Sequence, residues 1–201
     1  VHFTYTIPPS YQFKIFANHT MTILPNTYVS IDASINNNGL MYIKSTEAGD
    51  GSLIARRNIV GDNNFKVERY MSPDKWHFMS SPVNHATSAM FKGTYLRKYS
   101  EADNAWEPYI KEMDVEFLPG EGFSAYKKDE DMTAIYSGRI NNSNLTIPLT
   151  HNNEGWNLIG NPFTSAIDLK SQIGWSKTNV GNAVYTFDGV QEKYVYFLYD
   201  I

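Results

Sequence analysis

Aromatic residues on polar strands are the clearest candidates for binding chemistry in this sequence. An indole or phenol ring that lies flat on an exposed strand can stack on a pyranose ring, while nearby polar side chains bond the sugar hydroxyls. Four residues fit this role: Trp106, Tyr109, Tyr126 and Trp175. For any single one of them, packing within or between sheets is the favoured interpretation. Sugar stacking at these positions is therefore an alternative to core packing.

Support for metal chemistry is weaker. Asp129, Asp131 and Asp188 place carboxylates in turns, which suits Ca²⁺. None of them fits the twelve-residue calcium loop, and ordinary turn formation is the favoured interpretation. The five histidines have no metal-ligand spacing, and the absence of cysteine excludes thiolate sites. We predict no cofactor, with calcium as the one ion that these turns would suit.

Catalytic patterns are equally weak. His85 lies near Ser80 and Ser81 in the sequence, but no Gly-x-Ser-x-Gly turn exposes a nucleophilic serine. The acidic residues cannot be assigned as a pair across a cleft, which glycoside hydrolysis requires. We predict that the chain is not an enzyme.

Composition limits the remaining classes. The chain has 201 residues, of which 42% are hydrophobic, 14% aromatic and 19% charged, so it can bury a core. The net charge of −4 argues against a nucleic-acid partner, because such proteins need a basic face. No apolar run approaches 18 residues, so we predict no membrane span.

The elements that must position these residues are short strands. Runs of β-branched and aromatic residues are broken by Asn, Gly and Pro, which predicts an all-β fold. Runs at 20–25, 28–32, 39–43 and 51–55 have the spacing of stacked rungs, as in a short parallel β-solenoid. A four-stranded antiparallel sheet remains an equal alternative for residues 1–62. The best helix candidate is 166–173.

An internal repeat defines the rest of the chain. Trp76-His-Phe-Met-Ser-Ser-Pro-Val83 aligns without a gap with Trp156-Asn-Leu-Ile-Gly-Asn-Pro-Phe163. Each octapeptide predicts a buried strand that runs into a corner, because proline ends a ladder of hydrogen bonds. Residues 95–106 and 183–194 then share a strand, a turn and an aromatic strand. We predict a β-sandwich over 63–201 with two related repeats of about 80 residues, at 63–142 and 143–201, the second of which is cut short.

These motifs resemble a known kind of segment. Together with Val67-Glu-Arg-Tyr-Met71 and Leu118-Pro-Gly-Glu-Gly-Phe123, the two octapeptides are similar to segments of very large secreted or cell-surface proteins of Bacteroidetes. There the segment follows β-solenoid-like rungs and precedes a sorting domain for type IX secretion. The resemblance implies a non-catalytic structural or adhesive module of a larger secreted protein, at an extracellular or outer cell-surface location. Its partners would be neighbouring domains of that protein, and a glycan or another surface protein. The alternative is a carbohydrate-binding module of a secreted glycan-processing protein.

Overall fold

The protein is all-β, as the sequence predicts. A computed structural model describes residues 10–61, 64–169, 171 and 174–198, and over these residues it contains twenty strands and no α-helix. The one helical element in the described residues is a 3-10 turn at Ser88–Phe91. None of the described helical structure is long and apolar enough to cross a bilayer.

The strands fall into three stretches of the chain. The first stretch contains β1 (Gln12–Ile15), β2 (Thr20–Ile23), β3 (Tyr28–Ile31), β4 (Ser34–Asn37), β5 (Leu40–Ile43), β6 (Ser45–Thr46), β7 (Gly49–Asp50), β8 (Ser52–Ala55) and β9 (Ile59–Gly61). The second contains β10 (Phe65–Met71), β11 (Trp76–Ser80), β12 (Ala86–Thr87), β13 (Tyr95–Arg97), β14 (Tyr99–Ser100), β15 (Ala105–Trp106), β16 (Glu116–Phe117), β17 (Gly122–Tyr126) and β18 (Met132–Gly138). The third contains β19 (Ala183–Asp188) and β20 (Lys193–Leu198).

The first stretch is built from parallel pairs. β1 pairs with β4 and β4 with β9, β2 pairs with β5, and β3 pairs with β8, all in parallel. The antiparallel alternative for these residues is therefore wrong, apart from the short β6–β7 pair. Parallel pairing stacks identical faces, so inward residues form ladders such as Ile23, Ile43 and Val67. These ladders bury the side chains that alternate with solvent-facing ones in each short strand.

One sheet continues across the predicted domain boundary at residues 62 and 63. β10 adds to β5 in parallel and to β18 in antiparallel fashion, giving the order β18-β10-β5-β2. A second sheet has the order β11-β17-β13, and all its pairs are antiparallel. Phe91 connects the two sheets in the core, because its ring contacts Phe123 of β17 and Tyr136 of β18 at centroid distances of 5.3 and 6.2 Å.

The core lies entirely in the first two stretches. Every fully buried hydrophobic residue of the described chain falls between Ile15 and Ile140. Residues 143–198 instead contribute Pro162 and Thr164 as buried residues, and the Thr164 hydroxyl donates to the Leu53 carbonyl at 2.7 Å. Over its described residues, the region predicted as the second repeat therefore rests on the first part of the chain without a buried apolar cluster of its own.

Two sequence predictions fail in this last region. The second octapeptide forms no strand, since only Ile159 makes an isolated bridge, to Glu121. A strand needs a ladder of partners along its length, and the described residues offer this segment only one. The helix predicted at 166–173 is absent from 166–169 and 171, while residues 170, 172 and 173 lie outside the described residues.

Candidate functional site

Three aromatic residues form a row across the second sheet. Trp76 of β11 lies opposite Tyr126 of β17, and Tyr126 lies opposite Tyr95 of β13. Directly opposed residues share one face of a sheet, so the three rings lie side by side. The Tyr126 ring centroid is 5.3 Å from that of Trp76 and 6.0 Å from that of Tyr95.

Arg97 occupies the next row on the same face. Its guanidinium carbon lies 4.5 Å from the ring centroids of both Trp76 and Trp106, and 5.6 Å from that of Tyr109. Each of these contacts is a cation–π attraction. Among the described residues no carboxylate forms an ion pair with Arg97, and its buried Nε has no hydrogen-bond partner. The aromatic rings are therefore the main partners of this cation, which forms an aromatic–arginine cluster with Trp76, Tyr95, Trp106, Tyr109 and Tyr126.

The exposed part of the aromatic–arginine cluster is a pair of tyrosines. Tyr95 and Tyr109 are 48% and 44% exposed, and their rings meet edge to face at 5.3 Å. Trp106 is half-buried, because Phe78 and Tyr99 pack against it at 5.7 and 5.5 Å. A flat ligand would thus meet the tyrosine pair before it met the indole.

Trp175 lies apart from this cluster. It lines a polar cleft of about 450 Å³ between β8 and the segments 140–144 and 163–168. The cleft is rich in hydrogen-bonding side chains, including Asn141, Asn142 and Arg56. The structure therefore brings three of the four predicted sugar-stacking residues together and places the fourth in a separate cleft.

The predicted calcium ligands do not converge. Asp129 and Asp131 lie in the turn between β17 and β18, whereas Asp188 begins the turn between β19 and β20. Asp188 Oδ1 already accepts the amides of Val190 and Gln191 at 2.8 and 3.0 Å, and these bonds lower its pKa. In the described part of the chain no group of three or more potential ligands is assembled.

The serine–histidine pair does not form either. The His85 ring bonds Glu116 at 2.7 Å. Ser80 Oγ donates to the Asn161 carbonyl at 2.7 Å, and Ser81 Oγ donates to the carbonyl two residues further along. Both hydroxyls are thus engaged in holding the backbone of the two corners.

The same local hydrogen bond occurs in each of the two proline corners, which are the ends of the octapeptides 76–83 (first corner) and 156–163 (second corner). In the first, the Val83 amide donates to Ser81 Oγ at 3.3 Å; in the second, the Phe163 amide donates to Asn161 Oδ1 at 2.9 Å. Ser81 and Asn161 occupy the same position of the octapeptide, immediately before proline. Serine and asparagine both stabilise turns by accepting the amide two residues on, which explains why either residue serves here.

Asn141 joins the two corners to each other. Its backbone N–H donates to the Pro82 carbonyl at 3.2 Å, and its side-chain Nδ2 donates to the Pro162 carbonyl at 2.9 Å. The corners also touch directly, since a Cβ on Gly160 would lie 2.1 Å from the Cβ of Ser80. Ser80 and Gly160 again occupy the same octapeptide position, and only glycine permits this approach.

Two hairpins repeat an aromatic pair. Tyr99 lies opposite Trp106 in the β14–β15 hairpin, and Phe187 lies opposite Tyr194 in the β19–β20 hairpin. Both pairs are edge to face, with centroid distances of 5.5 and 5.4 Å. The spacing of the two partners along the chain is the same in each hairpin.

The turns of these hairpins also match. The Ser100 hydroxyl accepts the Asp103 amide at 3.2 Å, and the Asp188 carboxylate accepts the Gln191 amide at 3.0 Å. Each turn then ends on a residue with positive φ, 48° at Asn104 and 50° at Glu192. A left-handed residue at the same place gives both turns the same path.

Glu101 ties the first hairpin to the second octapeptide. Its carboxylate, only 7% exposed as a residue, accepts the amides of Asn152, Asn153 and Gly155 at 2.9, 2.8 and 3.0 Å. These backbone hydrogen bonds to the charged form hold the pKa of Glu101 at about 2. The turn before Trp156 is thus held by a carboxylate that is ionised at neutral pH.

Glu68 is a second buried acid, on the parallel sheet. Burial acts to raise its pKa, but hydrogen bonds from Lys44 at 2.8 Å and from the Tyr42 hydroxyl, together with the Ser45 amide at 3.1 Å, lower it overall. The same bonds raise the pKa of both Lys44 and Tyr42. This acid stabilises the joint between β5 and β10.

The roles of four residues were not predicted from the sequence: Arg97 and Tyr95 in the aromatic–arginine cluster, and Asn141 and Glu101 in holding backbone segments together. The first two carried a readable signal, because Tyr95 and Arg97 are two residues apart on a strand and must share a face. Asn141 and Glu101 carried none, since their partners lie 21 and 51 to 54 residues away along the chain.

The fold and this surface define an all-β protein whose sheets carry an aromatic–arginine cluster. The chain belongs to a family described as a domain of unknown function, DUF8693, whose family model matches residues 5–196. That match runs through both predicted domains. Neither a curated protein nor a solved structure matches the chain.

Proposed function

We propose that the chain is a non-catalytic structural or adhesive module of a larger secreted bacterial protein, at the cell surface or outside the cell. The observation that carries this proposal is the use of polar residues to hold backbone together. Asn141 joins the two proline corners, and Glu101 holds the turn before the second one. Such bonds resist separation of the two corners and of the turn that they join. A module that carries load between neighbouring domains requires this resistance.

The finer architecture belongs to the same proposal. The parallel pairs, which recur as Gln12 with Ser34 and Ile35 with Ile59, support a short β-solenoid at 1–62. The matched corners and hairpins support two related units in a sandwich, at 63–142 and 143–201. The resemblance to Bacteroidetes segments that precede a type IX sorting domain supports the extracellular location.

Single-molecule pulling tests the mechanical role. The chain is placed between marker domains, and unfolding forces are compared for the wild type, Asn141→Ala and Asn144→Ala. Loss of the Asn141 side-chain amide leaves the Pro162 carbonyl without this donor, at a cost of about 1–3 kcal/mol. Asn144 is exposed and makes no hydrogen bond among the described residues, so it is the matched control. A lower force for Asn141→Ala alone supports the proposal; extension of the wild type without a force peak contradicts it.

Location has its own test. Antibodies against the purified chain should label intact cells of the source organism, and external protease should remove the label. Labelling that requires permeabilised cells would contradict the extracellular part of the proposal.

A carbohydrate-binding module is the second candidate function. The exposed Tyr95–Tyr109 pair beside Arg97 favours it, since tyrosine rings stack on sugars and a guanidinium with no ion pair can bond hydroxyls or a carboxylate. A glycan array against the purified chain tests this function. Tyr11, an exposed tyrosine next to β1, provides the control. Binding that is lost in Tyr109→Ala but kept in Tyr11→Ala would assign the glycan site to the aromatic–arginine cluster. Binding lost only in Trp175→Ala would assign the polar cleft, and no binding at all would remove the candidate.

A further inference from the structure

In the part of the chain that the structure describes, the second corner has a strand edge with no partner. Gly122 donates to the Leu158 carbonyl at 3.1 Å, and Gly160 donates to the Gly120 carbonyl at 3.0 Å. These two bonds flank the Glu121–Ile159 bridge and use one edge of the segment 156–160. Alternate residues of an extended segment direct their backbone groups to opposite edges.

The other edge belongs to Asn157 and Ile159. In the described chain neither residue has a backbone hydrogen bond. The side chains beside this edge are open, with Ile159 48% and Trp156 51% exposed. In the first corner the same positions are half-buried, because β11 pairs with β17 over five residues.

The first corner shows what is absent beside the second. There β17 is the central strand between β11 and β13, the strand that leads into the first hairpin. Trp76 reaches across it to contact Arg97. Beside the second corner, Trp156 contacts Tyr185 of β19 at 5.0 Å, an equivalent pair of positions, but no described strand lies between them.

The surroundings of this gap are apolar. On β19 and β20, Tyr185, Tyr196 and Leu198 share one face and are 45%, 59% and 66% exposed. The described residues pair β19 and β20 only with each other. The same face also carries Phe187 and Tyr194, whose rings pack on Phe78 of β11 at 5.1 and 6.2 Å, so the face is covered at the turn and open at the end near Trp156. A two-stranded hairpin is marginal without further strands or packing.

We propose that the edge formed by residues 156–160, together with β19, accepts an added antiparallel β-strand with the sequence pattern of β17. That pattern is glycine, an aromatic residue, two small residues and an aromatic residue. The occupant is defined by what fills the equivalent position in the first corner. Backbone bonds to Asn157 and Ile159 provide the affinity, and the apolar face selects the side chains, as in other cases of strand addition.

The register follows from the first corner. Trp76 lies opposite Tyr126 and Ser80 lies opposite Gly122. The added strand therefore places its aromatic end opposite Trp156 and its glycine opposite Gly160. A glycine there suits the tight approach of the two corners at Gly160.

A peptide with the sequence of residues 118–128, which contains β17, tests this inference. The dye-labelled peptide is titrated with the purified chain, and binding is followed by fluorescence anisotropy. We expect saturable binding to the wild type. A peptide with proline in place of Ala125, the residue that this register places opposite Asn157, should bind at least about tenfold more weakly, because proline removes a donor to that edge.

Variants of the protein locate the peptide. Ile159→Pro removes an amide that has no partner among the described residues of the free chain, so it should weaken binding about tenfold or more while leaving the melting temperature close to that of the matched control Ile159→Ala. Equal binding of the unchanged peptide and the proline peptide, or of the two Ile159 variants, would overturn the proposal. So would the absence of binding, or self-association of the chain through this edge in place of peptide binding.

Discussion

The contact between Ser80 and Gly160 gives the sharpest prediction about the two corners. A Cβ built on Gly160 would lie 2.1 Å from Ser80 Cβ and 2.6 Å from Ser80 Oγ, whereas carbon atoms in contact are about 3.5–4.0 Å apart. The Gly160→Ala variant must therefore push two backbone segments apart. These segments are also joined by the bond from Ser80 Oγ to the Asn161 carbonyl.

The expected cost is that of overpacking, about 1–3 kcal/mol, reduced by up to about 1 kcal/mol because alanine restricts the unfolded chain. Gly160 does not have a positive φ, so backbone strain adds nothing. With the overpacking cost taken at its mid-range value of about 2 kcal/mol, the net loss is about 1–2 kcal/mol, which for a chain of this size lowers the melting temperature by roughly 2–8 °C. Thermal unfolding followed by circular dichroism measures the shift.

Gly181→Ala is the matched control, since no heavy atom of the described residues lies within 4 Å of a Cβ at that position. Its stability should equal or slightly exceed that of the wild type. Ser80→Gly removes the opposing Cβ, so in the Ser80→Gly background the Gly160→Ala change should cost less than in the wild type. Gly160→Ala as stable as Gly181→Ala, or strictly additive effects in the double variant, would refute the contact between the corners.

Three further changes test the polar and aromatic interactions. Glu101 has a pKa of about 2 against an ordinary value of 4.5, so its stabilisation is complete above about pH 4.5 and is lost as the pH falls through 2. Thermal melts should show a lower melting temperature for Glu101→Gln than for the wild type at pH 7, with a difference that shrinks on acidification. A constant difference would argue against stabilisation by the charged Glu101 carboxylate. The Tyr136 hydroxyl is buried without a partner among the described residues, so Tyr136→Phe should be neutral or stabilising by up to about 1 kcal/mol in urea titrations, and a clear loss would contradict this. Arg97→Met keeps the packing but removes the cation–π attraction, so it should cost about 1 kcal/mol in the same titrations; an unchanged midpoint would show that the rings do not need the charge.

Local structure was largely predictable from the sequence in the first sixty residues. The runs at 20–25, 28–32, 39–43 and 51–55 correspond to β2, β3, β5 and β8, because alternation of apolar and polar residues specifies a half-buried strand. The direction of pairing was not predictable, since the same alternation occurs in parallel and antiparallel strands. The octapeptide pattern predicted a buried strand before each proline, but only the first strand is present, and it is half-buried. A strand also needs a neighbour, which the pattern does not specify.

The candidate site was predictable in part for the same reason. Residue type singled out Trp106, Tyr109 and Tyr126, which the structure places in the aromatic–arginine cluster: the first two contact Arg97, and Tyr126 contacts Tyr95. Type alone also singled out Trp175, whose position depends on contacts between distant segments. Whether any of the four binds a sugar stays a prediction.

Amide hydrogen exchange in the two corners is the most direct test of the account as a whole. Our proposals are that the chain contains two related units and that the second has an open strand edge. The account predicts slow exchange for the amides of 76–80 that pair with β17 and for Gly160, and fast exchange for Asn157 and Ile159. Adding the 118–128 peptide should slow exchange at Asn157 and Ile159 and leave 76–80 unchanged. Slow exchange at Ile159 in the free protein, or no change on adding the peptide, would contradict it.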